Sequence, residues 1–271
     1  MSFVAIENVG KVYQPDGIDS AVRVLADINL EVEEGEFISL MGPSGSGKST
    51  LLTIMGAMNR PSEGRVLVDD IDVYELPEER RADFRREYLG FVFQQHHLMP
   101  YLNALENVML PLVTSKASAK EKRRRAQAVL QKVGLESKAT RLPNQLSGGE
   151  QGRLAIARAL VNEPPLILAD EPTGTLDTKT GSEIMEVFHQ LNAEGQTIFM
   201  VTHNPENAAR AHRSLNMRDG RLAVDVVSKF PTDHCHITQT VPQDLVNAAI
   251  IPGTSLADYA SVVGCAATES Q

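Results

Sequence analysis

The chain has 271 residues, 42% apolar and 23% charged, with a formal net charge of −9; these values fit a globular protein of one large domain with room for a small appendage, and they exclude broad non-specific binding to nucleic acid. The two cysteines, Cys235 and Cys265, exclude a disulfide framework and fit a reducing compartment. No run approaches the ~18 consecutive apolar residues of a spanning helix, and the first ten residues lack a basic-then-apolar leader pattern, so work at a membrane is expected to go through another chain.

Residues 1 to about 40 alternate apolar and polar positions, with Phe3, Ala5 and Val9 and then Ile28, Leu30 and Val32 on the apolar phase. They read as antiparallel strands with turns at Pro15-Asp16-Gly17 and Glu33-Glu34-Gly35-Glu36. The apolar stretch 37–41 is followed by a glycine-rich loop and a helical stretch at 49–58. A short strand at 66–68 ends at Asp69-Asp70, and residues 77–90 read as a charged helix. Residues 104–161 read as mostly helical, with an amphipathic helix at 119–133 capped by Gly134. Buried strands at 166–169 and 197–202 flank a helix at 181–191 with a turn at Glu194-Gly195. Strands alternating with helices imply a parallel sheet. The arginines and lysines at 80–86 and 120–125 read as solvated helix faces. No internal repeat is visible. After Val227, Pro231, Pro242 and Pro252 punctuate a weakly periodic segment, so 228–271 is expected to be an extension outside the core.

The densest chemical signal is Gly42-Pro43-Ser44-Gly45-Ser46-Gly47-Lys48-Ser49-Thr50. It fits the phosphate-loop pattern, and it lies between an apolar stretch and a helix, as that motif requires. The glycines let backbone N–H groups approach a triphosphate. Lys48 is expected on the β/γ-phosphates and Ser49 on Mg²⁺, with the positive end of the following helix facing the anion.

Two further polar segments follow apolar strands: Asp170-Glu171-Pro172 and His203-Asn204-Pro205. In open parallel sheets the ligand crevice lies beyond the carboxyl ends of the strands. Asp170 is placed to hold Mg²⁺, Glu171 to polarise a water, and His203 to bridge the γ-phosphate and Glu171. Leu146-Ser147-Gly148-Gly149-Glu150 carries a capping box, S-x-x-E, ahead of a helix at 151–160. Two glycines in a first helical turn weaken the helix by roughly 1 kcal/mol each relative to alanine. They make sense where a phosphate must approach that backbone closely. Asp233-His234-Cys235-His236 lacks a second, spaced ligand pair and reads as loop rather than metal site.

The phosphate loop, Gln94, the 146–150 segment, Leu168 to Glu171, Thr175-Leu176-Asp177 and His203 stand in the order and spacing of ATP-binding cassette ATPases, which the chain resembles over about residues 2–225. The resemblance implies an α/β P-loop NTPase fold: a RecA-like parallel-sheet core, an N-terminal antiparallel β subdomain and an α-helical signature subdomain at about 95–160. The cassette would span 1–227. By the same resemblance Tyr13 stacks on adenine, and Gly42, Ser44, Gly45, Ser46, Gly47, Lys48, Ser49 and Thr50 hold the triphosphate. Gln94, with Ser49 and Asp170, senses Mg²⁺ and signals to a membrane subunit. Glu171 is the general base and His203 the switch histidine. Ser147, Gly148 and Gly149 contact the γ-phosphate held by the opposite subunit, and Asp177 couples the two sites. The implied working form is a head-to-tail homodimer with two ATP between its subunits.

The strings Glu36 to Gly47, Gly90 to Gln95, Ala104 to Val108 and Ala169 to Gly174 resemble the macrolide-export and lipoprotein-release branch, which also holds cell-division ATPases. That branch implies an integral membrane permease with few spanning helices, an optional periplasmic adaptor, and a place at the cytoplasmic face of the inner membrane. An importer ATPase and a nucleotide-gated regulator remain the alternatives; a cassette acting on nucleic acid would carry long insertions or a tandem copy. Gly152 departs from the branch, where a larger polar residue stands, and is expected to loosen its helix. Thr175 replaces an asparagine.

Overall fold

Alternating burial along Val4–Tyr13 (β1) and Val22–Val32 (β2) marks strands with one covered face, and the two pair antiparallel. The computed structural model describes residues 2–14 and 21–227. The turn expected at Pro15-Asp16-Gly17, the Asp233-His234-Cys235-His236 cluster, the two cysteines and the whole 228–271 extension lie outside the described residues.

After β2 the chain turns at Gly35 and enters Phe37–Met41 (β3), then the phosphate loop and helix Lys48–Met55 (α1). This helix is shorter than expected because Gly56 ends it and Ala57 takes a left-handed conformation, φ 56°. Glu63–Val68 (β4) and Ile71–Asp72 (β5) follow, joined by Asp69 and Asp70, both at positive φ. Glu78–Tyr88 (α2) leads straight into Leu89–Phe93 (β6). Three helices come next: Ala104–Met109 (α3), Ala119–Lys132 (α4) and Gly148–Leu160 (α5). The chain then runs through Leu166–Asp170 (β7), Thr178–Ala193 (α6), Thr197–Val201 (β8) and the short turn of helix Pro205–Ala208 (α7). The described residues end in a hairpin of Arg213–Arg218 (β9) and Arg221–Val227 (β10).

Two sheets result. The antiparallel one has the order β2-β1-β4-β5; the larger has the order β10-β9-β3-β8-β7-β6, parallel except for β10. Its central strands are apolar on both faces, the signature of a sheet covered on each side. Phe37, Ile167, Ala169, Ile198 and Met200 pack on the side of α3, α4, α5 and α6. Ile38, Leu40, Leu166, Leu168, Phe199 and Val201 pack on the side of α1 and the antiparallel sheet. The ends of β3, β6, β7 and β8 therefore open at one edge, between these two cores.

Gly152 does not interrupt α5. The helix runs unbroken from Gly148 to Leu160, and a Cβ at Gly152 would lie 3.0 Å from Ile184 Cδ1 on α6. The missing side chain lets two helices approach closely.

Candidate nucleotide site

The phosphate loop leaves β3 at Gly42 and enters α1 at Lys48. Gly47 caps the helix at φ 105°, a left-handed value that disfavours any side chain. A Cβ there would also lie 2.7 Å from Leu25 Cδ2 and 3.0 Å from the Val24 carbonyl oxygen. No side chain caps α1 and no acidic residue occupies its first turn, so its N-terminal dipole is uncompensated. Ser46 Oγ is buried without a hydrogen-bond partner, and the position a Cβ would take at Gly45 faces open space. An orphaned hydroxyl and a bare helix start together fit a bound polyphosphate. The buried Lys48 donates from Nζ to the carbonyls of Gly42, 2.8 Å, and Pro43, 2.9 Å.

β7 delivers Asp170 and Glu171 beside this loop. Ser49 Oγ donates to Asp170 Oδ1 at 3.4 Å. Burial raises the Asp170 pKa, and the Glu171 charge raises it further, against the Ser49 hydrogen bond and the Lys48 charge. A hydroxyl and a carboxylate form a hard-oxygen donor pair of the kind Mg²⁺ takes.

Glu171 has φ 47°, unusual for a residue with a side chain, and its N–H donates to the Val201 carbonyl at 2.9 Å. That backbone directs its carboxylate across to β8, where His203 Nδ1 lies 3.0 Å from Glu171 Oε2. A cleft of about 140 Å³ runs past Glu171, Gly174, Leu176 and His203. Gln94, just past β6, packs its amide on Gly174; a Cβ at Gly174 would sit 2.8 Å from Gln94 Nε2.

Thus Lys48, Ser49, Gln94, Asp170, Glu171 and His203 converge at one sheet edge. Ser147, Gly148, Gly149 and Asp177 form a second group. Ser147 Oγ accepts from the Glu150 N–H at 3.3 Å, and Glu150 Oε2 accepts from the Ser147 N–H at 2.8 Å. That backbone hydrogen bond holds the Glu150 carboxyl below its usual value. Gly149 meets α6 so closely that a Cβ would lie 2.5 Å from Thr180 Cγ2. Asp177 caps α6, accepting from the Thr180 N–H at 3.0 Å and hydroxyl at 2.7 Å, and its pKa is lowered by these bonds. This group packs at the start of α6. Tyr13 lies at the end of β1, 40% exposed and paired with Val22.

Residues that sequence reasoning missed fasten the segment just after Gln94. Arg158 on α5 donates from Nη2 to the His96 carbonyl and from Nη1 to the His97 carbonyl, both at 2.6 Å. His96 and His97 both take left-handed conformations, φ 55° and 45°. His96 is buried with Nδ1 unpartnered, and burial lowers its pKa. No local pattern signals a contact across 61 positions.

Comparison with known proteins agrees with this geometry. A family model described as ABC transporter matches residues 25–174. The macrolide export ATP-binding/permease protein MacB 1/2 of Paracoccus denitrificans is 46% identical over 222 residues, which are 82% of this chain and 33% of that longer protein. The lipoprotein-releasing system ATP-binding protein LolD of Bordetella pertussis is 47% identical over 220 residues, 81% of this chain and 94% of that protein. Among solved structures, the ATP-binding cassette MJ0796, a dimer in a post-hydrolysis state bound to ADP and Pi, superposes with a TM-score of 0.76 at 44% identity. That match covers 84% of this chain and 99% of that one.

Proposed function

The chain belongs to the ABC transporter family as an ATP-binding cassette, and from that membership we propose that it is the motor subunit of a membrane export or mechanotransmission system, closing as a head-to-tail homodimer on ATP and driving a separate permease. As a member of that family it binds ATP and is an ATPase.

The observation that carries the site assignment is the convergence of Ser49–Asp170 and Glu171–His203 at the ends of β3, β7 and β8. Lys48, the loop amides of 44–50 and Ser46 Oγ bind and orient the triphosphate. Ser49, Asp170 and the Gln94 amide would hold Mg²⁺, which would supply positive charge to offset that of the triphosphate. Glu171 orients the attacking water and takes up its proton; His203 holds the Glu171 carboxylate and reaches the γ-phosphate. Tyr13 stacks on adenine. Ser147, Gly148 and Gly149 serve the γ-phosphate of a second copy, and Asp177 links the two sites.

The cassette is assigned to 1–227, with 95–160 as its helical subdomain. Among the described residues no helix is long and apolar enough to cross a membrane; the likeness to LolD, an ATP-binding protein of a lipoprotein-releasing system matched over 94% of its length, supports a permease on another chain and a place at the cytoplasmic face of the inner membrane. Export is favoured over import by the MacB and LolD likeness.

The test is a pull-down from native membranes with tagged Glu171→Gln protein and MgATP, read by mass spectrometry. A co-purifying permease with about four spanning helices is the expected result. A many-helix permease would move the chain to an importer, and only soluble partners would overturn the transport assignment.

A further inference from the structure

The exposed tyrosine at the end of β1 is held by a built hydrogen-bond path that starts on the phosphate-loop helix. The N–H groups of Met58 and Asn59 both donate to the Thr53 carbonyl, 3.0 and 3.2 Å, so the segment after α1 is tied to the helix itself. Asn59 is fixed a second time from below. The buried Tyr74 hydroxyl lies 2.8 Å from the Asn59 carbonyl and 2.6 Å from the Ile54 carbonyl. From this anchored residue the side-chain amide reaches outward, and Asn59 Nδ2 donates to the Tyr13 hydroxyl at 2.5 Å.

The neighbouring residues repeat the connection. Lys11 Nζ donates to the Arg60 carbonyl at 2.6 Å and lies 4.9 Å from the Tyr13 ring centroid, a cation–π distance. Arg60 in turn donates from Nη2 to the Tyr74 carbonyl at 3.0 Å. Ser62 closes the edge: its N–H donates to the Gly10 carbonyl at 2.8 Å, and its Oγ accepts from the Val12 N–H at 3.0 Å. An aromatic side chain at a solvent-exposed strand end has free torsions that base stacking would have to freeze. Here the phenol is gripped at its tip and one cation lies over the ring.

We propose that Asn59 is a positioning residue for nucleotide binding, holding the Tyr13 ring in register with the phosphate-loop helix so that base and triphosphate are met by one rigid unit. The inference rests on the assignment of Tyr13 as the adenine-stacking residue. Asn59 itself touches no nucleotide; it acts through Tyr13 by removing the ordering cost of the ring.

The test measures ATP affinity and steady-state kinetics of the full chain, with tripolyphosphate, which has no base, as a second probe. Asn59→Ala should weaken ATP about fivefold, the worth of one neutral hydrogen bond, through KM with kcat held. Tyr13→Phe keeps the ring and loses the same bond, so it should weaken ATP equally, and the double variant should be no weaker than either single one. Asn59→Asp should restore affinity, because the phenol can then donate to the carboxylate. Tripolyphosphate should bind all of these equally. Losses that multiply in the double variant, an Asn59→Ala affinity within twofold of the parent, or tripolyphosphate weakened as much as ATP would each overturn the proposal. Tyr13→Ala separates the two levels. If it leaves ATP affinity unchanged, the stacking assignment fails; if it weakens ATP while Asn59→Ala does not, only the positioning role fails.

Discussion

Arg158→Met is the sharpest test of how the Gln94 segment is held. Methionine keeps an unbranched apolar stem in α5 and removes only the guanidinium. That group makes two short bonds, to the His96 and His97 carbonyls. Hydrogen bonds from a charged donor contribute about 1.5–3 kcal/mol each where partly buried. The His97 bond is exposed and lies at or below the bottom of that range, and burial, which lowers the Arg158 pKa, offsets part of the gain. A net loss of about 3 kcal/mol follows, with the half-buried His96 carbonyl left unpaired. In a domain of this size that lowers the thermal midpoint by roughly 6–12 °C. The two left-handed residues would also relax once released, so Gln94 should lose its fixed place beside Gly174. The assay is thermal unfolding with and without MgATP, together with ATPase turnover. The expected result is a lower midpoint in both states and a reduced kcat. A midpoint within about 1 °C of the parent would refute the reasoning, because a loss of even 1 kcal/mol should move it by 2–4 °C.

Asp170→Asn should raise the midpoint of the nucleotide-free protein at pH 7 while removing the stabilisation by MgATP. The folded pKa of Asp170 is raised, so its ionised form costs stability above that value and none below the ordinary carboxylate value. The gap between variant and parent should therefore close as pH falls through the raised pKa, and a lower midpoint at pH 7 would contradict this. Histidine burial acts at the other end of the scale. His96, His189 and His212 all have pKa values lowered by burial. Their contribution is full above the ordinary histidine value and is lost as pH falls toward the depressed ones. His96→Phe should make the loss of stability between about pH 7 and 5 shallower in urea titrations, and an unchanged pH slope would count against it. Gly149→Ala should cost about 1–3 kcal/mol by forcing α5 off Thr180. Thr180→Ser, which deletes the clashing methyl and keeps the hydroxyl on Asp177, should restore most of that in the double variant, and no recovery would show that the strain lies elsewhere.

How far the chain could be read before folding depended on whether each signal was local. The phosphate loop, the Ser147–Glu150 capping box and the carboxylates after β7 are patterns a few residues long, and each stands where its pattern predicts. The hairpin β9–β10 also carries a local signal: Asp219-Gly220, both at positive φ, is the two-residue turn that strands of this hand prefer. β6 was hidden for a physical reason. It follows a charged helix without a loop, and its Gly90 lowers strand propensity, yet a Cβ there would lie 2.7 Å from the Ala159 carbonyl oxygen on α5. The glycine that blurs the strand is what lets the strand pack.

The contacts that hold the site's side chains in place belong to a different order of information. Arg158 meets His96 across 62 positions, and Asn59 meets Tyr13 across 46. Neither pairing has a spacing rule, because both depend on the order of strands in two sheets. Once β8 lies between β3 and β7, all three parallel, the phosphate loop, Asp170 and His203 must share an edge. Once β1 lies between β2 and β4, the end of β1 must pass the loop that follows α1. Residues that touch substrate can be recognised by type, since their chemistry restricts them to a few choices. Residues that aim them can be any hydrogen-bonding side chain of the right reach, so composition leaves them unmarked and only the assembled fold shows them. Substitutions that leave every catalytic group intact should therefore still separate binding from turnover in this cassette, with Asn59 affecting the first and Arg158 the second.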